Sequence, residues 1–457
     1  MKEFLKNHRF SIIVALTSIA FYFSFAYNLD RSDFIKLISL YGGLFFMNFR
    51  LIQLEKINFW SLASLALLYR LIFLFALPNL SQDFYRFLWD GKLILEGINP
   101  YLHKPSELIG NFQGIWTELY KGMGSLSQSN FTSYPPVNQL IFAISALLGG
   151  KTILGSVMVM RVLIILADFG ILFFGKKLLQ RLHLPKHQIF WYILNPFIII
   201  ELTGNLHFEG VMLFFLIFSL YLLHKGKWLA SAVLLGVSVS VKLIPLIFLP
   251  LLWNYFKNNK RTENPDISRL SFKKLLSYYF IVGLTILISF LPFISSEFIA
   301  NFSSSIALWF QKFEFNASIY YVVRWIGFEL KGYNIIATAG KVLAVLTFFI
   351  ILRLAFLKKN QTMPGLITSM LFGIAAYFFL STTVHPWYLV TPLLLSVFTK
   401  YGFMILWTGL VFLSYYAYSN PEFKENYWLL GIEYFFVFGL LIFEIFRNMY
   451  QTKKPVI

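Results

Sequence analysis

The chain has 457 residues, of which 58% are hydrophobic, 19% aromatic and only 13% charged. Mean hydropathy is +0.67, whereas a soluble domain is about half apolar and about a quarter charged. This composition excludes a soluble enzyme, a nucleic-acid-binding module, a coiled coil and a disordered chain. The alternating ten-residue segments of an outer-membrane barrel are missing as well, which leaves an all-α polytopic membrane protein. The net charge of +18 fits a cytoplasmic excess of Lys and Arg and attraction to anionic lipid. There is no Cys, so disulfides and thiolate metal sites are excluded.

Apolar runs fall at about 10–28, 34–50, 60–79, 137–149, 154–174, 189–203, 208–224, 228–256, 275–293, 335–352, 365–383, 386–399, 402–418 and 429–446. A run of roughly 18 or more apolar residues is long enough to cross a bilayer. The first run has no small-residue cleavage site after it and reads as an uncleaved span. Lys2, Lys6 and Arg9 precede it and place the N-terminus in the cytoplasm. The third run then exits near Leu80, and 81–136 and 294–334 become long extracytoplasmic loops.

Two cationic groups resist simple alternation. Lys176, Lys177, Arg181 and Lys186 belong inside, as do Lys257, Lys260, Arg261, Lys273 and Lys274. Both fit if 137–155 and 228–256 are each a pair of half-helices, broken at Gly149-Gly150 and at Lys242-Leu243-Ile244-Pro245. Irregular backbone at membrane depth survives only where it is buried in protein or lines a cavity. The expectation is one membrane domain over 1–457, with about 12 spanning helices plus two broken or re-entrant helix pairs. Both termini are expected in the cytoplasm, and the polar elaboration outside.

The densest polar segment is Ser81-Gln82-Asp83-Phe84-Tyr85-Arg86-Phe87-Leu88-Trp89-Asp90-Gly91-Lys92, continuing through Asn99-Pro100-Tyr101. Asp83, Arg86 and Asp90 fall on one helical face. A carboxylate there can serve as a general base, with a neighbouring cation tuning it or binding phosphate. The competing reading makes Asp83 a helix N-cap and leaves an Asp–Arg surface pair on this face. Tyr134-Pro135-Pro136 starts a helix. His207 and Glu209, and His385-Pro386-Trp387-Tyr388, sit at span boundaries. A topology drawn from Lys and Arg alone puts Asp83, Asp90, His207, Glu209 and His385 on the same side. Lys242, between two apolar half-helices, and Arg324, in the second outer loop, are cations that a lipid phosphate would neutralise. Arg70, Arg161, Asp168, Glu201, Glu433 and Glu444 read as interhelical pairs. His183 and His187 stand four apart without a nearby carboxylate, so zinc is not expected there. No P-loop or dinucleotide fingerprint is present.

Asp83-x-x-Arg86-Phe87-Leu88-Trp89-Asp90-Gly91, followed by Gly97-x-Asn99-Pro100-Tyr101, resembles the first outer loop of GT-C glycosyltransferases. The likeness is greatest to bacterial polyprenyl-phosphate-mannose-dependent mannosyltransferases and their glycosylphosphatidylinositol mannosyltransferase relatives. Tyr134-Pro135-Pro136, Asn195-Pro196, the His207 and Glu209 segment, Lys242-x-x-Pro245, Phe315-Asn316 and His385-Pro386-Trp387-Tyr388 also resemble family features, in family order. The first two spans, 1–59, look additional to the common module.

The resemblance implies transfer of a sugar, expected to be mannose, from a polyprenyl phosphate to a glycan or lipid acceptor at the outer face of the cytoplasmic membrane, with inversion. It implies Asp83 as the base, with Asp90 in support and His385 facing it. Arg86, Lys242 and Arg324 are the candidates for the donor phosphate. Asn99, Tyr101, Tyr134, His207, Glu209, Asn316, Trp387 and Tyr388 are the candidates for substrate contact. The polyprenyl-phosphate sugar is a substrate, so no cofactor is expected. The implied partners are membrane lipids, the lipid donor and the acceptor. A lipid-linked glycan flippase or transporter, with Lys242, Arg161 and Asp168 along its path, and a glycan polymerase are the competing functions.

Overall fold

A computed structural model describes residues 2–56, 58–257, 271–311 and 313–453. Lys260 and Arg261 lie outside the described residues. Among those described there is no strand, only one isolated parallel bridge between Phe315 and Thr383.

The principal helices are α1 (Lys2–Tyr27), α2 (Phe34–Glu55), α3 (Phe59–Ile72), α4 (Asp83–Leu95), α5 (Pro136–Leu148), α6 (Ile153–Arg181), α7 (Glu209–His224) and α8 (Trp228–Val241). They continue as α9 (Phe272–Phe290), α10 (Ser296–Gln311), α11 (Ile319–Lys331), α12 (Ile336–Ala355), α13 (Met363–Leu380), α14 (Val390–Ser396), α15 (Phe403–Leu410) and α16 (Tyr427–Lys453). Among the described residues, seven helices are long and apolar enough to cross a membrane. They are α1, α2, α6, α9, α12, α13 and α16. The count is eight if Pro196–Gly204 and Glu209–His224, bent by 115° at their junction, form one span. The remaining apolar helices, including Phe59–Ile72, Pro136–Leu148 and Trp228–Val241, have 10–17 residues. The protein is thus a polytopic all-helical membrane protein, with fewer full-length spans than the apolar runs suggest.

The half-helix pair expected at 137–155 is not what forms. Pro136–Leu148 is a single short helix, and the chain turns at Gly149-Gly150 into the 29-residue α6. A Cβ on Gly149 would lie 2.2 Å from the Ser156 amide nitrogen. The glycine therefore allows a tight junction between two packed helices. The break expected at Lys242 is present: α8 ends at Val241, and short helical turns resume at Ile244.

The outer faces of α9, α12 and α16 expose Phe280, Leu287, Phe348, Phe349 and Phe435. Apolar faces this extensive suit lipid, not water. Inside, α7 packs on α6 and α8, and α4 packs on α5. Arg70 and Asp168 pair at 2.8 Å, both fully buried, so Asp168 does join two helices. Arg161 finds carbonyls instead, donating to Thr203, Gly204 and Leu74. A cation at the end of a helical turn satisfies its orphan carbonyls. Glu201 accepts from Tyr415, and Glu444 from the Gly402 and Phe403 amides.

Candidate active site

The polar segment after α3 folds as α4, with eight of its 13 residues buried. A Cβ on Gly91 would fall 2.3 Å from the Phe142 carbonyl oxygen, so α4 and α5 are in backbone contact there. Phe87 stacks on Phe142 one turn away, at 4.6 Å. Arg86 donates through Nε to Asp90 at 2.7 Å and through Nη1 to the Ser127 and Asn130 carbonyls. The Gln139 amide reaches the other Asp90 oxygen and Thr132. Arg86 and Asp90 thus clamp the outer loop onto α4 and α5. Asp83 stands apart from this clamp. It occupies the first turn of α4, where Gln82 is the N-cap, and it is half-buried against a cavity.

The second wall comes from a kink. Residues Ile199–Gly204 form a π-helical turn, a local expansion that recurs at functional sites. Leu206, fully buried, has φ 62°, a strained left-handed conformation for a branched apolar residue. The chain then bends sharply and presents His207 and Glu209, both buried, to the cavity. The Glu209 carboxylate at the N-terminus of α7 pairs with the Lys242 ammonium from the α8 break. Lys242 is 23% exposed and Glu209 only 4%, so the cation keeps a free side towards the cavity.

The third wall is a stack of rings. Trp387 lies between His207, at 4.0 Å, and His385, at 4.5 Å and within 3° of parallel. Phe315 covers the outer face of His385 at 5.1 Å. Phe315 is held there by backbone bonds, its amide to the Thr382 carbonyl and its carbonyl to the Val384 amide. Asn316 next to it has φ 48°. Its amide nitrogen is bonded by Glu425, and its side chain donates to Glu433, which also accepts from Trp407.

The walls enclose about 710 Å³. Phe87, Phe208, Ile244, Ile247, Phe313 and Phe378 supply apolar lining beside the polar groups. Burial raises the Asp83 carboxyl above the ordinary carboxylate range; His207 and Lys242 oppose that shift, Glu209 adds to it, and Arg31 opposes it more weakly. Burial, then His207 and Lys242, hold His385 down at about 3, so its imidazole is neutral at physiological pH.

Of the residues singled out by sequence, Asp83, Tyr134, His207, Glu209, Lys242, His385, Trp387 and Tyr388 line this one cavity. Asp90 and Arg86 do not. The cation expected to stabilise Asp83 is bound to Asp90, and the cations acting on Asp83 come from other elements. Arg324 does not line the cavity either and has a protein partner, Glu314. Asn99 accepts from the Tyr101 amide, and the Tyr101 hydroxyl donates to the Tyr134 carbonyl. Both therefore brace the loop behind the cavity wall, and Asn316 braces the His385 segment. Sequence reasoning missed Arg31 and Tyr418, which also line the cavity. The available signal was an Arg in a short turn that the charge-derived topology places on the side of Asp83.

Comparison with known proteins bears out the resemblance to bacterial mannosyltransferases. Residues 30–256 match a family model described as Alpha-(1->6)-mannopyranosyltransferase, N-terminal domain. The chain is 23% identical to Alpha-(1->6)-mannopyranosyltransferase A of Mycobacterium tuberculosis over 289 residues, 62% of this chain and 51% of that protein. It is 27% identical to Alpha-(1->6)-mannopyranosyltransferase B of Corynebacterium glutamicum over 150 residues, 33% of this chain and 24% of that protein. The A protein of the same bacterium is 26% identical over 186 residues, 39% of this chain and 35% of that protein. The chain thus spans about half, or less, of the length of these relatives. The family match contains Asp83, His207, Glu209 and Lys242 and ends before His385.

Proposed function

We propose that the protein is a membrane glycosyltransferase that moves a mannosyl unit from a polyprenyl phosphate to a hydroxyl of a glycan or lipid acceptor, with inversion. The observation that carries this reading is a half-buried carboxylate, Asp83, on a cavity that combines cations with an apolar and aromatic surround. A lipid-linked sugar needs both: apolar walls for the first prenyl units and positive charge for the phosphate. The relatives' names support mannose as the sugar. The reaction site lies on the extracytoplasmic face, with both termini in the cytoplasm. The shorter apolar helices complete about 12 crossings with the seven long ones.

In this reading the Asp83 carboxylate takes the proton of the acceptor hydroxyl. The hydroxyl oxygen then bonds to the anomeric carbon from the face opposite the phosphate. The bond between that carbon and the phosphate oxygen breaks, and polyprenyl phosphate departs with the electron pair. Lys242 stabilises the developing charge, because a positioned cation in a water-poor site acts where charge appears. His385 is neutral and serves as a hydrogen-bonding group, not as a cation. Trp387, its faces covered by the two imidazoles, meets the sugar through its ring edge. Arg86 and Asp90 support the site by fixing α4.

The test is transfer by purified protein in liposomes, with radiolabelled mannose on a polyprenyl phosphate and a mannoside acceptor. The expected result is a labelled glycan product, formed from the lipid donor and not from a nucleotide sugar. Movement of the intact lipid-linked sugar across the bilayer without transfer would replace this reading with a transporter.

A further inference from the structure

The α1–α2 hairpin has no part in the chemistry described so far, yet its turn reaches the cavity. Arg31 lies in that turn and lines the cavity with Asp83 and Lys242. Its acidic neighbours are engaged locally. Asp33 accepts from the Lys36 amide as the cap of α2, and Asp30 accepts from the amide and hydroxyl of Ser32. Among the described residues Arg31 forms no ion pair; it donates through Nη1 to the Leu80 carbonyl at 3.4 Å and lies 4.4 Å over the Tyr418 ring. Lys242, by contrast, is already matched by Glu209.

The hairpin is fixed to the rest of the fold. Asn79 donates to the Phe25 and Leu29 carbonyls just before the turn. Tyr41 on α2 stacks on Phe412 at 3.6 Å. The turn therefore presents a guanidinium in a set place, with most of its five donors unspent. A planar fork of donors matches phosphate oxygens in pairs, which an ammonium cannot do.

We propose that Arg31 binds the phosphate of the lipid donor, and of the polyprenyl phosphate left after transfer, so that the N-terminal hairpin forms part of the donor site. This rests on the glycosyltransferase reading above. The same guanidinium chemistry would also suit the headgroup of a bulk anionic phospholipid, and the test separates the two.

Wild type, Arg31→Ala, Arg31→Lys and the exposed-cation control Lys424→Ala are compared in phosphatidylcholine liposomes, with and without phosphatidylglycerol. Farnesyl phosphate and farnesol serve as competing probes. In Arg31→Ala the KM for the lipid donor rises about tenfold or more, the loss expected for a charge-assisted pair. Inhibition by farnesyl phosphate weakens by the same factor, and inhibition by farnesol does not change. Arg31→Lys falls between, and Lys424→Ala matches wild type. A purely structural role would lower thermal stability and kcat without separating the two probes, and would overturn the proposal. Unchanged donor KM and farnesyl phosphate inhibition in folded Arg31→Ala would also overturn it. An effect present only with phosphatidylglycerol would assign Arg31 to bulk headgroups and not to the donor. If wild type transfers nothing, the functional reading fails. Direct binding of farnesyl phosphate against farnesol then decides the phosphate site by itself.

Discussion

Replacing Asp83 by Asn removes one proton acceptor and little else. The side chain keeps its size, and Gln82, not Asp83, occupies the N-cap position of α4, so no cap bond is lost. Arg31 and Lys242 remain on the cavity wall, so donor binding persists or tightens as the local negative charge falls. General-base catalysis contributes about 10²- to 10⁴-fold, which is about 2.7 to 5.5 kcal/mol of barrier. Turnover of Asp83→Asn should therefore drop by that factor, with a donor KM equal to or below that of wild type. Stability should move the other way. The carboxyl is held above its ordinary range, chiefly by burial, so its ionised form opposes folding at neutral pH. The variant should melt at or above the wild-type temperature at neutral pH, with the gap narrowing in acid. Wild-type activity should fall as pH drops through that raised value, above the ordinary Asp range near about 4. The assay is initial-rate transfer in liposomes beside a melting curve. Near-normal turnover in a folded Asp83→Asn would exclude Asp83 as the base and move that role to Glu209.

Other predictions follow from the packing. Gly91→Ala places a methyl against the Phe142 backbone and should cost about 1–3 kcal/mol, read as a lower melting temperature. Arg70→Ala leaves Asp168 as a buried, unpaired charge and should cost about 3–5 kcal/mol. Removing both charges together should recover much of that loss. His385, held at about 3, binds its proton more readily when unfolded, so it withdraws stability as pH falls below about 6.5. His385→Gln should flatten that part of the stability–pH curve.

Much of the site was legible because membranes make polar residues conspicuous. Asp83, His207, Glu209, Lys242 and His385 stood out against apolar runs, and the Lys and Arg distribution put the first three and His385 on one side. The structure brings all five to one cavity. What the sequence hid was the accounting of charge. The i, i+4 spacing of Arg86 and Asp90 marks the pair they form, but their burial shows that the pair serves the loop. Arg324 looked free because its partner, Glu314, stands ten residues earlier across irregular chain. The kink at 205–208 has no sequence mark either. It depends on a π-turn and on Leu206 adopting a conformation that Leu seldom takes, held by packing and by Arg161. Span number is hard to read for a related reason. Apolar runs report burial in lipid and in protein alike, so they do not separate the long helices from shorter apolar ones such as Pro136–Leu148.

If sugar transfer takes place in this cavity, blocking the cavity must block transfer, and the Cys-free chain allows a direct measurement. Ser133 lies on the cavity wall and is not one of the groups assigned to chemistry. A single Ser133→Cys substitution, labelled with a bulky maleimide in liposomes, should leave the unlabelled protein active and abolish transfer once labelled. Prior addition of the polyprenyl-phosphate mannose donor should protect the thiol from the label. Full transfer by quantitatively labelled protein would place the reaction elsewhere, because it would then proceed with this cavity filled.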